Sequence, residues 1–258
     1  MKRILVALML LAGAHSGAQP LNYAFLPGEE LTYRFYYDAW LANVTAGYGT
    51  VTVNKKTENT AGVPTYHIVG EGKSKGMFNL FYKVHDRFES WIDTASLWPV
   101  KFKRYTREGG YKKDDVVMFD HNNGLAQSST KKKRIEPGTF DIISAFYYAR
   151  NLDASKLKPG DLFFIPFFLD DSVYHSAIKF IGHDTIKIEP GRFSCLKFKP
   201  MMATGGVFAD PYPMVLYVSD DRNHIPLLAE SAIVVGKVKM ELKSYKGLRH
   251  PLTSRLRK

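Results

Sequence analysis

The sequence predicts a mainly β protein. The expected architecture is a curved antiparallel sheet or partly open barrel in two similar halves, with one principal helix between them packed against the sheet. Three observations lead there. Short apolar segments alternate with period two along most of the chain, and turn residues separate them. One stretch, residues 139–151, carries a helical period instead. The turn motifs that precede this stretch also recur after it, in the same order.

Before the helix the elements read as follows. Leu31, Tyr33, Phe35 and Tyr37 alternate onto one face of a first strand. Residues 44–53 form a second, in which Gly47 and Gly49 suggest a bend or a close backbone approach. Residues 66–72 form a third, and 81–92 a fourth that ends in a turn at 93–96. Residues 99–107 and 111–120 make a hairpin across Glu108-Gly109-Gly110. A further turn at 121–124 and the basic run 131–134 lead into the helix.

In the helix, Ile142, Ala145, Phe146 and Ala149 fall on one face, and Ile143 and Tyr147 widen it. Thr139 or Asp141 can cap its first N–H groups, and Arg150 suits the negative end of its dipole. After a turn at 158–161, strands are expected at 162–169, 174–182, 185–189, 193–199 and 214–219. Residues 225–235 and 237–245 form a last hairpin at Gly236. The basic tail, 247–258, is expected to be disordered.

The repeat is carried by turn residues. Pro27-Gly28-Glu29 matches Pro159-Gly160-Asp161, and residues 75–78 match 205–208. Asp93 and Pro99 match Asp220 and Pro226, and Gly110 matches Gly236. The offset shrinks steadily along the chain, as a duplication with small loop deletions would leave it; chance recurrence of turn residues is the alternative. The halves would be 27–120 and 159–245 of a single β domain spanning 19–246. Each half has one apolar face that it cannot bury alone.

The N-terminus reads as a secretory signal peptide, residues 1–18. Lys2 and Arg3 precede a short apolar run, and Ser16-Gly17-Ala18 offers the small residues at which a peptidase cleaves. The run is shorter than the roughly 20 apolar residues that a membrane-spanning helix needs, so no span is expected after cleavage. Location in the periplasm or cell envelope, as a soluble protein, follows from that reading. The chain is basic, with a formal net charge of +11, two charges of which lie in the signal peptide. Such an exported protein can meet anionic lipid or polysaccharide, while a solvated positive surface is the plainer reading. Cys195 is the single cysteine, so no intramolecular disulfide can form and the apolar core must supply stability.

Several segments resemble the DUF3108 family of exported bacterial proteins. They are the helix segment 137–150, the opening strand 28–33, the central hairpin 107–111, the post-helix turn 157–161, the strand start 191–195, and Ser219-Asp220-Asp221 with Ile225-Pro226. The resemblance implies export and a fold similar to the open, curved barrels that carry lipoproteins across the periplasm. It implies no mechanism.

No catalytic constellation stands out. Gly72-Lys73-Ser74 lacks the upstream glycine of a phosphate loop, since His67 occupies that position, and a strand surrounds it. No histidine pair has the i, i+4 spacing of a zinc protease, and His85-Asp86 and His183-Asp184 point to opposite faces of their strands. Asp114-Asp115, Asp170-Asp171 and Asp220-Asp221 lie in or near turns, where aspartate is favoured for backbone hydrogen bonding. Cys195 alternates with Phe193 and Lys197 and reads as a buried, inert thiol. No catalytic residue, metal ligand, cofactor or nucleic-acid partner is therefore expected. The leading expectation is a non-catalytic envelope protein that binds an amphipathic or lipid-like ligand. Phe35, Tyr37, Phe146 and Tyr147 are its candidate lining residues, chosen by periodicity. A structural or assembly partner of another envelope protein, and a hydrolase of envelope polymer, are the competing readings.

Overall fold

The computed structural model describes residues 22–39, 42–201, 214–232 and 237–257. The N-terminal half contains β1 (Glu30–Ala39), β2 (Ala42–Val53), β3 (Glu58–Thr60), β4 (Val63–Ser74), the short α1 (Phe78–Phe81), β5 (His85–Asp93), β6 (Pro99–Glu108), β7 (Tyr111–Asp120), β8 (Leu125–Gln127) and β9 (Lys132–Arg134). The principal helix α2 (Ile142–Ala149) follows, then a single 3-10 turn at Ala154–Lys156. The C-terminal half contains β10 (Leu162–Leu169), β11 (Ser172–Ile188), β12 (Gly191–Pro200), β13 (Met214–Ser219), β14 (Pro226–Ala232), β15 (Lys237–Lys246) and β16 (Arg255–Leu256). The signal peptide and the repeat positions 205–208 and Gly236 lie outside the described residues.

All sixteen strands belong to one antiparallel sheet. Its path runs β10-β11-β12-β13-β14-β15-β1-β2-β4-β5-β6-β7-β8-β9, with β3 beside β4 and β16 beside β12. Each half is a meander, β1 and β15 join the halves, and β9 and β10 are left as edges that are not paired to each other. Helix α2 is the connection between those edges. It touches β10, β4 and β5 together. In a flat sheet, β4 would lie roughly 38 Å from β10, eight strand spacings away. A helix of 8 residues is about 12 Å long. The sheet therefore curls around the helix.

No ladder joins β9 to β10; Phe140 N–H donates to Pro166 O at 2.9 Å and Phe168 N–H to Phe140 O at 2.7 Å, and side chains hold the rest of the seam. Arg104 Nη1 donates to Asp170 Oδ1 at 3.0 Å, Thr130 Oγ1 donates to Asp171 Oδ2 at 2.7 Å, and Phe119 meets Phe168 edge to face at 6.1 Å. Asp170 and Asp171 are the two residues of the β10–β11 hairpin, with φ of 47° and 60°. Positive φ at both positions is what such a tight hairpin needs, and aspartate tolerates it.

The halves repeat their turn geometry. Gly28 N–H donates to Val53 O at 2.8 Å, and Gly160 N–H donates to Phe180 O at 2.8 Å. Val53 N–H returns to Glu29 O, and Phe180 N–H to Asp161 O, each at 2.9 Å. Leu97 and His224 both have positive φ, and each stands two residues before the proline that starts β6 or β14.

Four expectations change. Residues 81–84 are not strand: the chain turns at Gly76, with φ +63°, into the short helix Phe78–Phe81, which Tyr82 N–H closes by donating to Phe78 O at 2.9 Å. The expected strands 174–182 and 185–189 are one strand, β11, with a register shift between Phe180 and Gly182. The helix is shorter than 139–151, because Asp141 caps it. The tail is ordered over its described residues, 247–257. Gly247, with φ +66°, lies so close to Gly28 O that no Cβ would fit, and Leu248 and Leu252 pack on the core formed by Leu31, Phe193, Leu227 and Leu242. His250 N–H donates to Asn223 Oδ1 at 2.9 Å, Ser254 Oγ donates to Asp221 Oδ2 at 2.7 Å, and Arg255–Leu256 pairs with β12. Leucines spaced between the basic residues anchor the segment, which charge alone does not reveal.

Candidate functional site

Helix α2 turns one face to the core and another to the space inside the curled sheet. Asp141 Oδ1 accepts from Ile143 N–H at 2.8 Å and Ser144 N–H at 2.9 Å, and Ser144 Oγ accepts from Asp141 N–H at 2.9 Å, a reciprocal capping box. Asp141 Oδ2 accepts from Ser90 Oγ of β5 at 2.6 Å, which fixes the helix start to the sheet. This carboxyl is fully buried, and burial pushes its pKa up to about 6 against the pull of its donors. Ser144 and Tyr147 are buried in the core, and Ile143, also buried, borders open space as well. Ile142, Ala145, Phe146 and Ala149, the face picked out by the apolar period, line open space.

That space consists of two apolar cavities that meet at Ile142 and Phe146. The first, of about 470 Å³, lies over β1, β2, β4 and β5. Glycines form its floor: Gly47 and Gly49 of β2, and Gly70 and Gly72 of β4. A Cβ at Gly70 would lie 3.2 Å from Ile143 Cδ1, and one at Gly49 would lie 2.8 Å from the Phe35 ring. A Cβ at Gly72 would meet nothing within 4 Å. The absent side chains thus seat the helix at Gly70, seat Phe35 at Gly49, and leave a void at Gly72. Polar residues at this cavity, Glu71, Lys73, Ser74 and Asp86, fall at the end near the β4–β5 connection.

The second cavity, of about 460 Å³, lies under the C-terminal half. Phe163, Ile165, Phe167 and Leu169 contribute to it from one face of β10, as the period of two requires. Its polar groups are engaged elsewhere. Ser176 Oγ donates to Met201 O at 2.9 Å, and a 2.8 Å hydrogen bond joins His224 Nδ1 to Arg150 O. Each cavity falls within the roughly 300–1,000 Å³ typical of small-molecule sites.

The four periodicity-chosen residues separate. Phe35 lines the first cavity, and Phe146 stands between the two. Tyr37 is one rung beyond Phe35, opposite Val44 and Val238 in the register, and is not part of either wall. Tyr147 is away from the cavities: it is fully buried, its ring meets Phe25 edge to face at 4.6 Å, and its hydroxyl donates to Glu29 Oε1 at 3.2 Å. The glycine floor escaped the sequence reading. Its signal is Gly-x-Gly in two consecutive strands, which strips the side chains from one face of both.

Cys195 is fully buried beside Phe193, and burial pushes its thiol up to about 11. Among the described residues, no helix is long and apolar enough to cross a membrane; this says nothing about strands.

Comparison with known structures finds a similar fold in one solved structure with a TM-score above 0.5. A beta-barrel-like protein of the domain of unknown function DUF1849 from Brucella abortus superimposes with a TM-score of 0.57 at 9% identity, over 86% of this chain and 98% of that one. Two further structures align with TM-scores of 0.39 at 11% identity. One, from Bacteroides fragilis, is described as exported with a YmcC-like fold and covers 87% of this chain and all (100%) of its own. The other, from Parabacteroides distasonis, is described as a lipoprotein and covers 88% of this chain and all (100%) of its own. A search of curated proteins finds no match. Residues 32–243 match the family described as "Protein of unknown function (DUF3108)", and with most of its length inside that match the chain belongs to the DUF3108 family.

Proposed function

We propose that this is an exported, non-catalytic envelope protein that holds the apolar part of an amphipathic, lipid-like ligand inside its curled sheet. The observation that carries the reading is the pair of apolar cavities meeting at Ile142 and Phe146. A folded interior normally fills such space, because unfilled volume forfeits packing energy. Here the face of α2 with the strongest apolar period is turned toward the space instead of into the core. Polar residues at one end of the first cavity suit a headgroup, and the apolar walls suit a chain.

The test is a calorimetric titration of delipidated protein with fatty acids and lysolipids of graded chain length. Affinity should rise with each added CH₂, by about 0.8 kcal/mol where the methylene is fully buried, until the space is filled. Absence of saturable binding at every length would remove this reading and favour an assembly partner in the envelope.

A further inference from the structure

Seven of the fourteen large apolar side chains exposed among the described residues lie at one end of the sheet. Ala39 pairs with Ala42 and Asp38 with Lys237, so the β1–β2 connection and the start of β15 share that end. Ser74 pairs with Gly47, and Val84 bridges Glu108, which pairs with Tyr111; the β4–β5 connection and the β6–β7 turn are therefore there too. The connection carries Met77 (73% exposed), Leu80 (81%), Phe81 (84%) and Tyr82 (45%). Val44, Tyr111 and Val238 are also exposed at this end.

This projection is built, not loose. Phe78 turns inward and lines the first cavity. Tyr82 N–H donates to Phe78 O at 2.9 Å, and the Tyr82 ring lies 2.8 Å from where a Gly109 Cβ would be. Ser74 Oγ donates to Asn79 Oδ1 at 2.6 Å. The fold thus holds Leu80 and Phe81 out into solvent, where an apolar side chain gains nothing unless something covers it.

We propose that this end docks on an anionic phospholipid bilayer, with Met77, Leu80 and Phe81 inserted at the level of the headgroups. Charge selects that occupant. Lys73, Lys75, Lys83 and Lys112 are exposed around the apolar tip, and no carboxylate lies within residues 72–85. The acidic groups nearest to them are engaged: Glu71 pairs with Lys73 and with His85, each at 2.8 Å, Asp86 Oδ1 accepts from Arg107 N–H at 3.0 Å, and the half-buried Glu108, bridged to Val84, shares a side-chain hydrogen bond with Asp86. An apolar wedge ringed by lysines matches the acyl boundary and the negative surface of such a membrane. The docking does not depend on occupancy of the cavities, although Phe78 connects the wedge to the first of them.

The experiment is co-sedimentation of the purified protein with vesicles of phosphatidylethanolamine and phosphatidylglycerol, and with vesicles of phosphatidylcholine alone. Binding should favour the anionic vesicles and weaken with added salt. Leu80→Asp with Phe81→Asp should lower the bound fraction roughly tenfold or more. Lys75→Glu with Lys83→Glu should lower it and remove the salt dependence. All four positions are exposed, so thermal unfolding should be unchanged. A Phe81→Trp variant should shift its added emission to the blue when anionic vesicles are supplied. No binding to anionic vesicles, binding indifferent to the Leu80 and Phe81 changes, or self-association that those changes abolish without any vesicle binding would each overturn the proposal. Fatty-acid titration of the same Leu80→Asp, Phe81→Asp variant separates the two ideas, since it should keep chain-length-dependent binding.

Discussion

Glu29 and Arg150 form a bidentate ion pair inside the protein. Arg150 Nη1 meets Glu29 Oε1 at 2.6 Å and Nη2 meets Oε2 at 2.8 Å, with side-chain exposures of 2% and 0%. Arg150 Nε also donates to Asn223 O at 3.0 Å. One guanidinium thus ties the turn before β1, the end of α2 and the turn between β13 and β14. Burial works against its charge, but Glu29 outweighs burial and the net shift is upward, so it stays charged. Glu29→Gln or Arg150→Met alone should cost about 3–5 kcal/mol, because each strands a buried charge. Combining Glu29→Gln with Arg150→Met should cost clearly less than the sum of the single changes. Urea titrations of the four proteins measure this, and additive losses would mean that the pair is not one unit.

Asp141 should make stability depend on mildly acidic pH. Its folded pKa of about 6 lies above the ordinary 3.8, so the folded state holds the proton more tightly. The stabilisation it contributes is full below about pH 4 and is lost as pH rises through about 6. Asparagine keeps the capping acceptor without the charge. The stability of wild type minus that of Asp141→Asn should fall by on the order of 3 kcal/mol between pH 4 and 7. A difference that is flat across this range would show that the carboxyl is not held at a raised pKa.

The two rings of α2 should respond differently to removal. Tyr147→Ala should destabilise by about 3–5 kcal/mol, since that ring is enclosed on all sides. Phe146→Ala should cost less, roughly 1–3 kcal/mol, because part of its ring already borders open space. Thermal or denaturant unfolding ranks them, and the reverse order would place Phe146 in the core.

Gly72→Phe should fill part of the first cavity without straining the backbone, because a Cβ there has open space. Stability should hold or rise, and the chain length of best-bound fatty acid should shorten. An unchanged optimum would place the ligand elsewhere.

Cys195 should react slowly with a thiol reagent in the native protein and rapidly once unfolded, because its sulfur is enclosed and its pKa is pushed up to about 11. Fast native labelling at neutral pH would contradict that burial.

Local chemistry determined much of this protein from the sequence alone. The β6–β7 hairpin across Glu108-Gly109-Gly110 and the strands 162–169 and 214–219 depend on neighbours within a few residues, so turn residues and alternation announce them, while Thr139 and Asp141 stayed equal candidates for the helix cap. The order of two meanders around one helix was legible for the same reason. Tertiary structure decided which side of each element met the core. The apolar period of α2 marked Ile142, Ala145, Phe146 and Ala149, yet the curl of the sheet buries Ile143 and Tyr147 and leaves the marked face over a void. Periodicity reports that a face avoids water and cannot say whether protein or ligand covers it. The Glu29–Arg150 pair joins residues 121 apart, and the ordered tail docks on turns far from it in the chain. Such contacts form only after the sheet closes round the helix, because the chain first has to bring distant segments together against its own entropy.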